Sequence, residues 1–310
     1  MAALRSGEDG GLGVVLTGGT RGLGFCLARE LLAGGHRVVL CGRNAERLHA
    51  ALRVLRDGCS DAAGERVDGI VADVGTAEDV DALESLARRR LGDVHLVVHN
   101  AGAASRRRAP LADLEADDIL NTVNVNVAGG LLTARMALRL FREQPPADSP
   151  VYHYMSFGFS KAGASLSASA LTHKVTKLSL PVLDSYILKE LASDRMRDYV
   201  GVHQVSPGLL LTDLLLADTT PGVRSLVFNA IAEEPQDAAR ELAPLLTRVD
   251  QRASRIELLP LPAAAARMAT TVPRVLLGDA SAMRFFDREG NRLGSAKYKA
   301  NGVEELFPGM

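Results

Sequence analysis

Short β-rich runs alternating with amphipathic helical stretches leave this chain few folds to choose from. The runs are GVVLT (13–17), RVVLC (37–41), GIVA (69–72), HLVVH (95–99), VYHYM (151–155) and VGVHQV (200–205). Between them lie helical patterns such as FCLARELLAGG, where Phe25, Leu27, Ala28, Leu31 and Leu32 share a face and Gly34 closes it. Strands alternating with helices are βαβ units, and right-handed crossovers turn such units into a parallel sheet covered on both faces. The expectation is an α/β, doubly wound, single domain over 13–220, preceded by a tail (1–12). From about residue 210 helical segments follow without clear strands, punctuated by Pro221, Pro235, Pro244, Pro260, Pro262 and Pro273. Residues 221–310 read as a helical extension packed on the same domain, facing a substrate or a membrane.

VVLTGGTRGLG (14–24) is the first stretch with chemistry in it. A strand ends at Thr17, the chain turns through Gly18 and Gly19, and Gly24 opens a helix. Glycines let the backbone approach a pyrophosphate, whose charge meets the free N–H groups and positive end of the helix. Alone, such a run also fits a plain strand-to-helix turn. Set inside a βαβ unit, it predicts a Rossmann-like dinucleotide site with Thr17, Gly18, Thr20, Arg21, Leu23 and Gly24 on the phosphate side. After the second strand, an acid suits the ribose 2′-OH of NADH and an arginine the 2′-phosphate of NADPH. Gly42 takes the acid's place, Arg43 follows, and Arg21 lies in the loop. With no carboxylate expected to oppose these two guanidiniums, the pattern favours NADPH over NADH.

Composition narrows the remaining classes. The net charge of -1 gives no bias toward nucleic acid, and RRR at 106–108 reads as a solvated loop. Cys26, Cys41 and Cys59 are odd in number and lack C-x-x-C spacing, and no H-E-x-x-H occurs, so no metal site is expected. MAALRSGEDGG has no secretory core and is too short for a transit peptide. No uncharged run reaches the ~18 residues of a bilayer span, so a soluble chain is expected. LLPLPAAAARMATTVPRVLL (258–277) is apolar but broken by prolines, which suits a hydrophobic ligand or peripheral membrane contact rather than a span.

The spacing T-G-x-x-x-G-x-G over 17–24 resembles the short-chain dehydrogenase/reductases rather than the G-x-G-x-x-G enzymes. Asp73 and Val74 end the third strand, where that family contacts adenine. Asn100, Ala101 and Gly102 resemble its N-N-A-G motif, with His99 in the first position. Asn126, in NVNVAG, matches its helix asparagine. Ser206, Pro207 and Gly208 resemble its P-G turn, with Thr212 shortly after. The resemblance implies cofactor contacts at these positions and at Lys177.

VGVHQVSPGLLLTDLLL (200–216) is more specific, resembling the chlorophyll(ide) b reductases of plants and algae. RNAERLHAAL (43–52), FNAIAEEPQDAARELAPLL (228–246), VPRVLL (272–277) and RFFDREGNRL (284–293) are similar too. This likeness implies NADPH-dependent reduction of the C7 formyl group of chlorophyll b or chlorophyllide b to hydroxymethyl, and a chloroplast, thylakoid-associated setting. Two other readings stay open. One is a reductase of another bulky hydrophobic carbonyl; the other is an NADP-binding subunit without turnover, in a homo- or hetero-oligomer with an active paralogue.

ALTHKVTKLSL (170–180) carries the question of catalysis. The family places a Tyr-x-x-x-Lys pair on one helical face after the fifth strand. There the lysine holds the nicotinamide ribose, the tyrosine protonates the carbonyl oxygen, a serine orients that oxygen and the asparagine braces a water relay. The resemblance puts Lys177 on the lysine and His173 on the tyrosine, so the implied catalytic set is Asn126, Ser156, His173 and Lys177. Ser160, thirteen residues before His173, is the alternative serine. Tyr186, three residues before Lys189, is the alternative donor, whereas Tyr152 and Tyr154 read as packing. An imidazole with its ordinary pKa of ~6.5 suits general-acid work, though Lys174 and Lys177 lower its charged fraction. His173 as a helix residue without catalytic duty is the competing reading. Pro181 is expected to remove a hydrogen bond to the Lys177 carbonyl and kink the helix.

Overall fold

A computed structural model describes residues 11–58, 65–105, 109–159, 170–216 and 219–293. All six expected strands are present: β1 (Gly13–Thr17), β2 (Arg37–Gly42), β3 (Val67–Val71), β4 (Leu96–His99), β5 (Tyr152–Phe157) and β6 (Val200–Ser206). They form a wholly parallel sheet in the order β3-β2-β1-β4-β5-β6. The order reverses between β1 and β4, and the crevice at that switch point is where such sheets bind ligands.

Side-chain alternation along each strand feeds a core on either side of the sheet. Val14, Leu16, Val98, Met155 and Phe157 join one core with α1 (Gly22–Ala33) and α2 (Ala45–Asp57). Val15, Val97, Tyr152 and Tyr154 join the other with α3 (Ala77–Leu91), α5 (Gly129–Glu143) and α6 (Leu171–Leu191). Tyr152 and Tyr154 are packing residues whose hydroxyls donate to the carbonyls of Pro145 and Gly130. Ahead of α5, α4 (Ala116–Val123) passes into it through a π turn, Asn124–Ala128, which carries Asn126. Such wide turns commonly mark functional positions.

The expectation of no strands past residue 210 is corrected. Leu209–Leu210 (β7) and Ala232–Glu233 (β8) pair with each other, and β9 (Ala253–Glu257) pairs with β6 as the last strand of the main sheet. This strand is half-exposed at the sheet edge, and Arg255 forms an ion pair with Glu257 along it, so it lacks an apolar run. Helix α7 (Pro235–Thr247) places Ala238, Leu242 and Leu246 in the same core as α1. The sheet-bearing unit therefore draws on residues beyond 220.

α6 stays helical through Pro181, which has no N–H to give to the Lys177 carbonyl. One proline expectation changes. In the apolar stretch 258–277, the prolines do not break the helix: α8 spans Leu261–Leu276. Pro260 caps it, Pro262 lies in the first turn where a missing N–H costs nothing, and Pro273 lies in the last. Its 16 residues reach about 24 Å, short of the ~30 Å of a bilayer core. No described helix is long and apolar enough to cross a membrane. A third, small core gathers Leu211, Phe228, Ala232 and Phe286. Buried Asn229 staples it, accepting from the N–H groups of Phe285 and Phe286 and donating to the Phe286 carbonyl.

Candidate active site

The phosphate side forms where β1 ends. Thr17 and Asn100 fix the loop: the Asn100 amide donates to the carbonyls of Thr17 and Gly18 at 3.1 Å each, and the Ala101 N–H donates to Thr17 Oγ1 at 3.1 Å. Gly24 shows how close the turn is. A Cβ there would stand 2.1 Å from the Gly18 oxygen and 2.6 Å from Asn100 Nδ2. Leu23 and Thr20 are buried beneath the loop, and Arg21 is the exposed N-cap of α1. No side chain caps this helix start and no acid lies in its first turn, so its N–H groups suit an anion. Pro207 and Gly208 turn the chain after β6, with Gly208 at φ +79. Thr212 then lies 3.4 Å from where a Gly22 Cβ would be. The residues present thus fit a dinucleotide.

At the other end, Gly42 is constrained by its neighbour: a Cβ there would meet Thr20 Cγ2 at 2.5 Å and Oγ1 at 2.8 Å. An acid has no room at that position. Arg43 follows, but its guanidinium is not unopposed. Nη1 donates to Asn121 Oδ1 at 2.9 Å and stands 3.7 Å from Asp73 Oδ2. The expectation that no carboxylate faces this arginine is therefore wrong, because the turn after β3 brings Asp73 across the cleft. Both groups are well exposed, so the attraction is screened and weak. Asp73, Asn121, Asn124 and Val125 line an open pocket of about 280 Å³. Val74 is buried beneath the π turn against Gly129.

The catalytic side gathers three of the four expected residues. Lys177 is buried, its ammonium donating to the Phe157 carbonyl at 2.9 Å and the Ala101 carbonyl at 3.4 Å, with Gly102 directly against it. Burial pulls its pKa down to about 8. His173, one turn earlier, is buried too, with Nδ1 2.8 Å from the Ala103 oxygen and Phe159 edge-on to its ring at 5.3 Å. Asn126 is fully enclosed: Oδ1 accepts from Ala103 N–H, and Nδ2 donates to the Ala103 oxygen and to Thr176 Oγ1, each at 2.8 Å. Its side chain clamps loop to helix, with both Nδ2 protons spent and one lone pair of Oδ1 remaining.

The expectation for His173 as an acid near its ordinary pKa is corrected. Burial, with Lys177 adding to it, pushes the imidazole down to about 4 despite the Ala103 carbonyl, which favours the charged form. At neutral pH the ring is uncharged. Ser156 is not brought to the pair: its hydroxyl is buried and donates to Asp184 Oδ2 at 2.6 Å. Ser160 lies outside the described residues. Tyr186 is 62% exposed with Lys189 over its ring at 4.6 Å, and is no part of the site.

Sequence reasoning missed three participants. Thr176 and the Ala103 carbonyl take part through hydrogen bonds alone. Asp184, seven residues beyond Lys177, could have been noticed as a carboxylate inside an apolar run. Burial pushes it up to about 7, against the Ser156 hydrogen bond. His99, fully buried beside Thr17 at 3.5 Å, is pushed down to about 3 by burial and by Lys177. Among the described residues no cluster of metal-binding side chains occurs.

A doubly wound sheet, a glycine cradle at its switch point and a buried lysine facing that cradle define a nicotinamide-dependent oxidoreductase. Residues 13–220 match the family model of the short chain dehydrogenases, and the chain belongs to that family. It is 32% identical over 300 residues to a probable chlorophyll(ide) b reductase, chloroplastic, of Oryza sativa subsp. japonica, covering 92% of this chain and 55% of that protein. A chlorophyll(ide) b reductase, chloroplastic, of Arabidopsis thaliana is 29% identical over 231 residues, 74% of this chain and 64% of that protein. The chain thus spans little more than half the length of the first of these relatives. Among solved structures, a metagenomic short-chain oxidoreductase in complex with NADP superposes with a TM-score of 0.59 at 23% identity, covering 81% of this chain and 98% of that one. At that identity the likeness concerns the fold.

Proposed function

We propose that this oxidoreductase uses NADPH to reduce a formyl group on a large hydrophobic pigment to hydroxymethyl, at the C7 position of chlorophyll b or chlorophyllide b. The observation that supports the substrate best is the 92% coverage of this chain by the rice relative, which takes in the region beyond residue 220. On this reading the parts of 221–310 outside α7 and β9 form the pigment- or membrane-facing region, and the setting is the chloroplast, as the names of the relatives suggest. The test is direct: purified protein, NADPH and chlorophyll b, followed by absorbance. Loss of the b-type Soret band is the expected outcome. NADPH binding with no pigment turnover would favour a non-catalytic subunit, and turnover of other bulky ketones alone would move the substrate elsewhere.

The cofactor preference rests on Gly42, which has no room for an acid, beside Arg43. Losing a charge-assisted contact to the 2′-phosphate costs roughly 1.5–3 kcal/mol, about ten- to a hundredfold in affinity. Arg43→Ala is therefore expected to weaken NADPH by that factor and leave NADH nearly unchanged in fluorescence titrations. Equal loss for both cofactors would overturn the assignment.

A further inference from the structure

Arg43 is held at both ends. Its backbone lies between Gly42, where a Cβ would meet Thr20 at 2.5 Å, and Asn44, which caps α2 by accepting from the Arg47 N–H at 2.7 Å. Its guanidinium reaches across the cleft to the last turn of α4, where Nη1 donates to Asn121 Oδ1 at 2.9 Å. The same nitrogen stands 3.7 Å from Asp73 Oδ2. Asp73 is fixed in turn, its Oδ1 accepting from the Gly75 N–H at 2.9 Å. Nε and Nη2 of Arg43 have no partner among the described residues. In a guanidinium these two nitrogens carry parallel N–H bonds, the fork that grips two oxygens of one phosphate. Asn121 therefore occupies the one nitrogen outside that fork. Its amide oxygen orients the arginine without cancelling the charge, as a carboxylate in the same place would.

We propose that Asn121 is a positioning residue for the cofactor: acting through Arg43, it presents the Nε–Nη2 fork to a ribose 2′-phosphate and so sets the choice between NADPH and NADH. The inference rests on the NADPH reading given above and adds to it a residue from the opposite lip of the cleft. Without Asn121 the arginine keeps its charge but regains its rotamers, and ordering a long side chain on binding costs affinity. Asp73 then becomes the nearest acceptor and draws the guanidinium toward a carboxylate that repels the incoming phosphate. NADH carries no 2′-phosphate, so its binding does not use the fork. The contribution of Asn121 therefore falls on the preference between the two cofactors, and it vanishes once Arg43 is gone.

The test is a double-mutant cycle read on two cofactors. Full-length wild type, Asn121→Leu, Arg43→Ala and the double variant are each titrated with NADPH and with NADH by fluorescence. Asn121→Leu, similar in size but without the accepting oxygen, is expected to lower the ratio of NADPH to NADH affinity about three- to tenfold. Asn121→Asp is expected to lower it further, with a difference from wild type that shrinks as salt is raised. In the Arg43→Ala background, Asn121→Leu is expected to leave the ratio where it is. Equal loss of both cofactors in Asn121→Leu would mean that the residue only shapes the adenosine pocket, and overturns the proposal. A raised ratio overturns it as well, since Asn121 would then be holding Arg43 away from the phosphate. So does a full effect of Asn121→Leu in the absence of Arg43. Should Asn121→Leu not fold, Asn121→Asp, which keeps the side-chain shape, carries the same test. Arg43→Ala separates this inference from the reading beneath it. If that variant weakens both cofactors equally or neither, the NADPH reading fails and the role of Asn121 fails with it. If it is selective while Asn121→Leu is not, the NADPH reading stands and Asn121 alone loses its role.

Discussion

Acidification from pH 7 to about 4.5 is expected to unfold this protein, because four buried histidines must charge to accept the protons that the unfolded chain takes freely. His99 and His153 are pushed down to about 3, and His173 and His203 to about 4, in every case chiefly by burial. His153 and His203 share a hydrogen bond of 2.9 Å, and His203 meets Ser254 of β9, so two of the four sit in one buried chain across β5, β6 and β9. The sign follows from proton counting. With folded pKa values below the unfolded ~6.5, the contribution is fully present above that value and is lost as pH falls toward the folded ones. Asp184 works the other way. Raised to about 7, its contribution is present in acid and lost as pH rises through that value, so it offsets part of the loss. The histidines together lose about 10 kcal/mol between pH 7 and ~4.5 and Asp184 returns about 3, so the balance is a destabilisation of about 7 kcal/mol, comparable with the whole stability of a domain. Thermal melts by circular dichroism between pH 7 and pH ~4.5 check this. A melting temperature unchanged across the range would show that these rings are hydrated or already paired in another way.

The second large effect is expected at Gly24. Replacing it by alanine puts a methyl group 2.1 Å from the Gly18 oxygen, a backbone atom that cannot step aside without dragging the loop. Overpacking of this kind costs about 1–3 kcal/mol, and here it falls on the turn that must meet the pyrophosphate. Gly24→Ala should therefore lower NADPH affinity by about ten- to a hundredfold, with a modest fall in melting temperature. Titration of the folded variant by NADPH fluorescence measures it. Wild-type affinity in a folded Gly24→Ala protein would mean that the dinucleotide does not approach this turn.

Most of the sheet was legible because its central strands are buried on both faces, as Val14–Leu16 and Val97–Val98 are, and such strands read as continuous apolar runs. The phosphate turn was legible because glycine spacing is itself the signal. β9 escaped because an edge strand needs only one apolar face and its charges pair along the strand. The expected catalytic residues were legible in type and order, and Asn126, His173 and Lys177 all bond to the 101–103 loop. What sequence spacing could not give is direction. It could not say that Asp73 swings over to Arg43, that Ser156 turns to Asp184, or which nitrogen of His173 holds the proton. Those outcomes depend on contacts between residues far apart in the chain, such as Ala103 with His173.

The late position of β9 has a consequence for biosynthesis. β6 is complete at residue 206, yet its outer edge has no partner until Ala253–Glu257 has been made. During that interval the nascent chain carries an open row of backbone donors and acceptors, the kind of template on which two unfinished chains pair wrongly. A polypeptide ending between those points, whether from a premature stop codon or a designed truncation, would carry the same open edge permanently. Aggregation of such a fragment would then report on the missing strand before it reported on any missing binding surface. A clean dissection of the region beyond 257 should leave β9 whole.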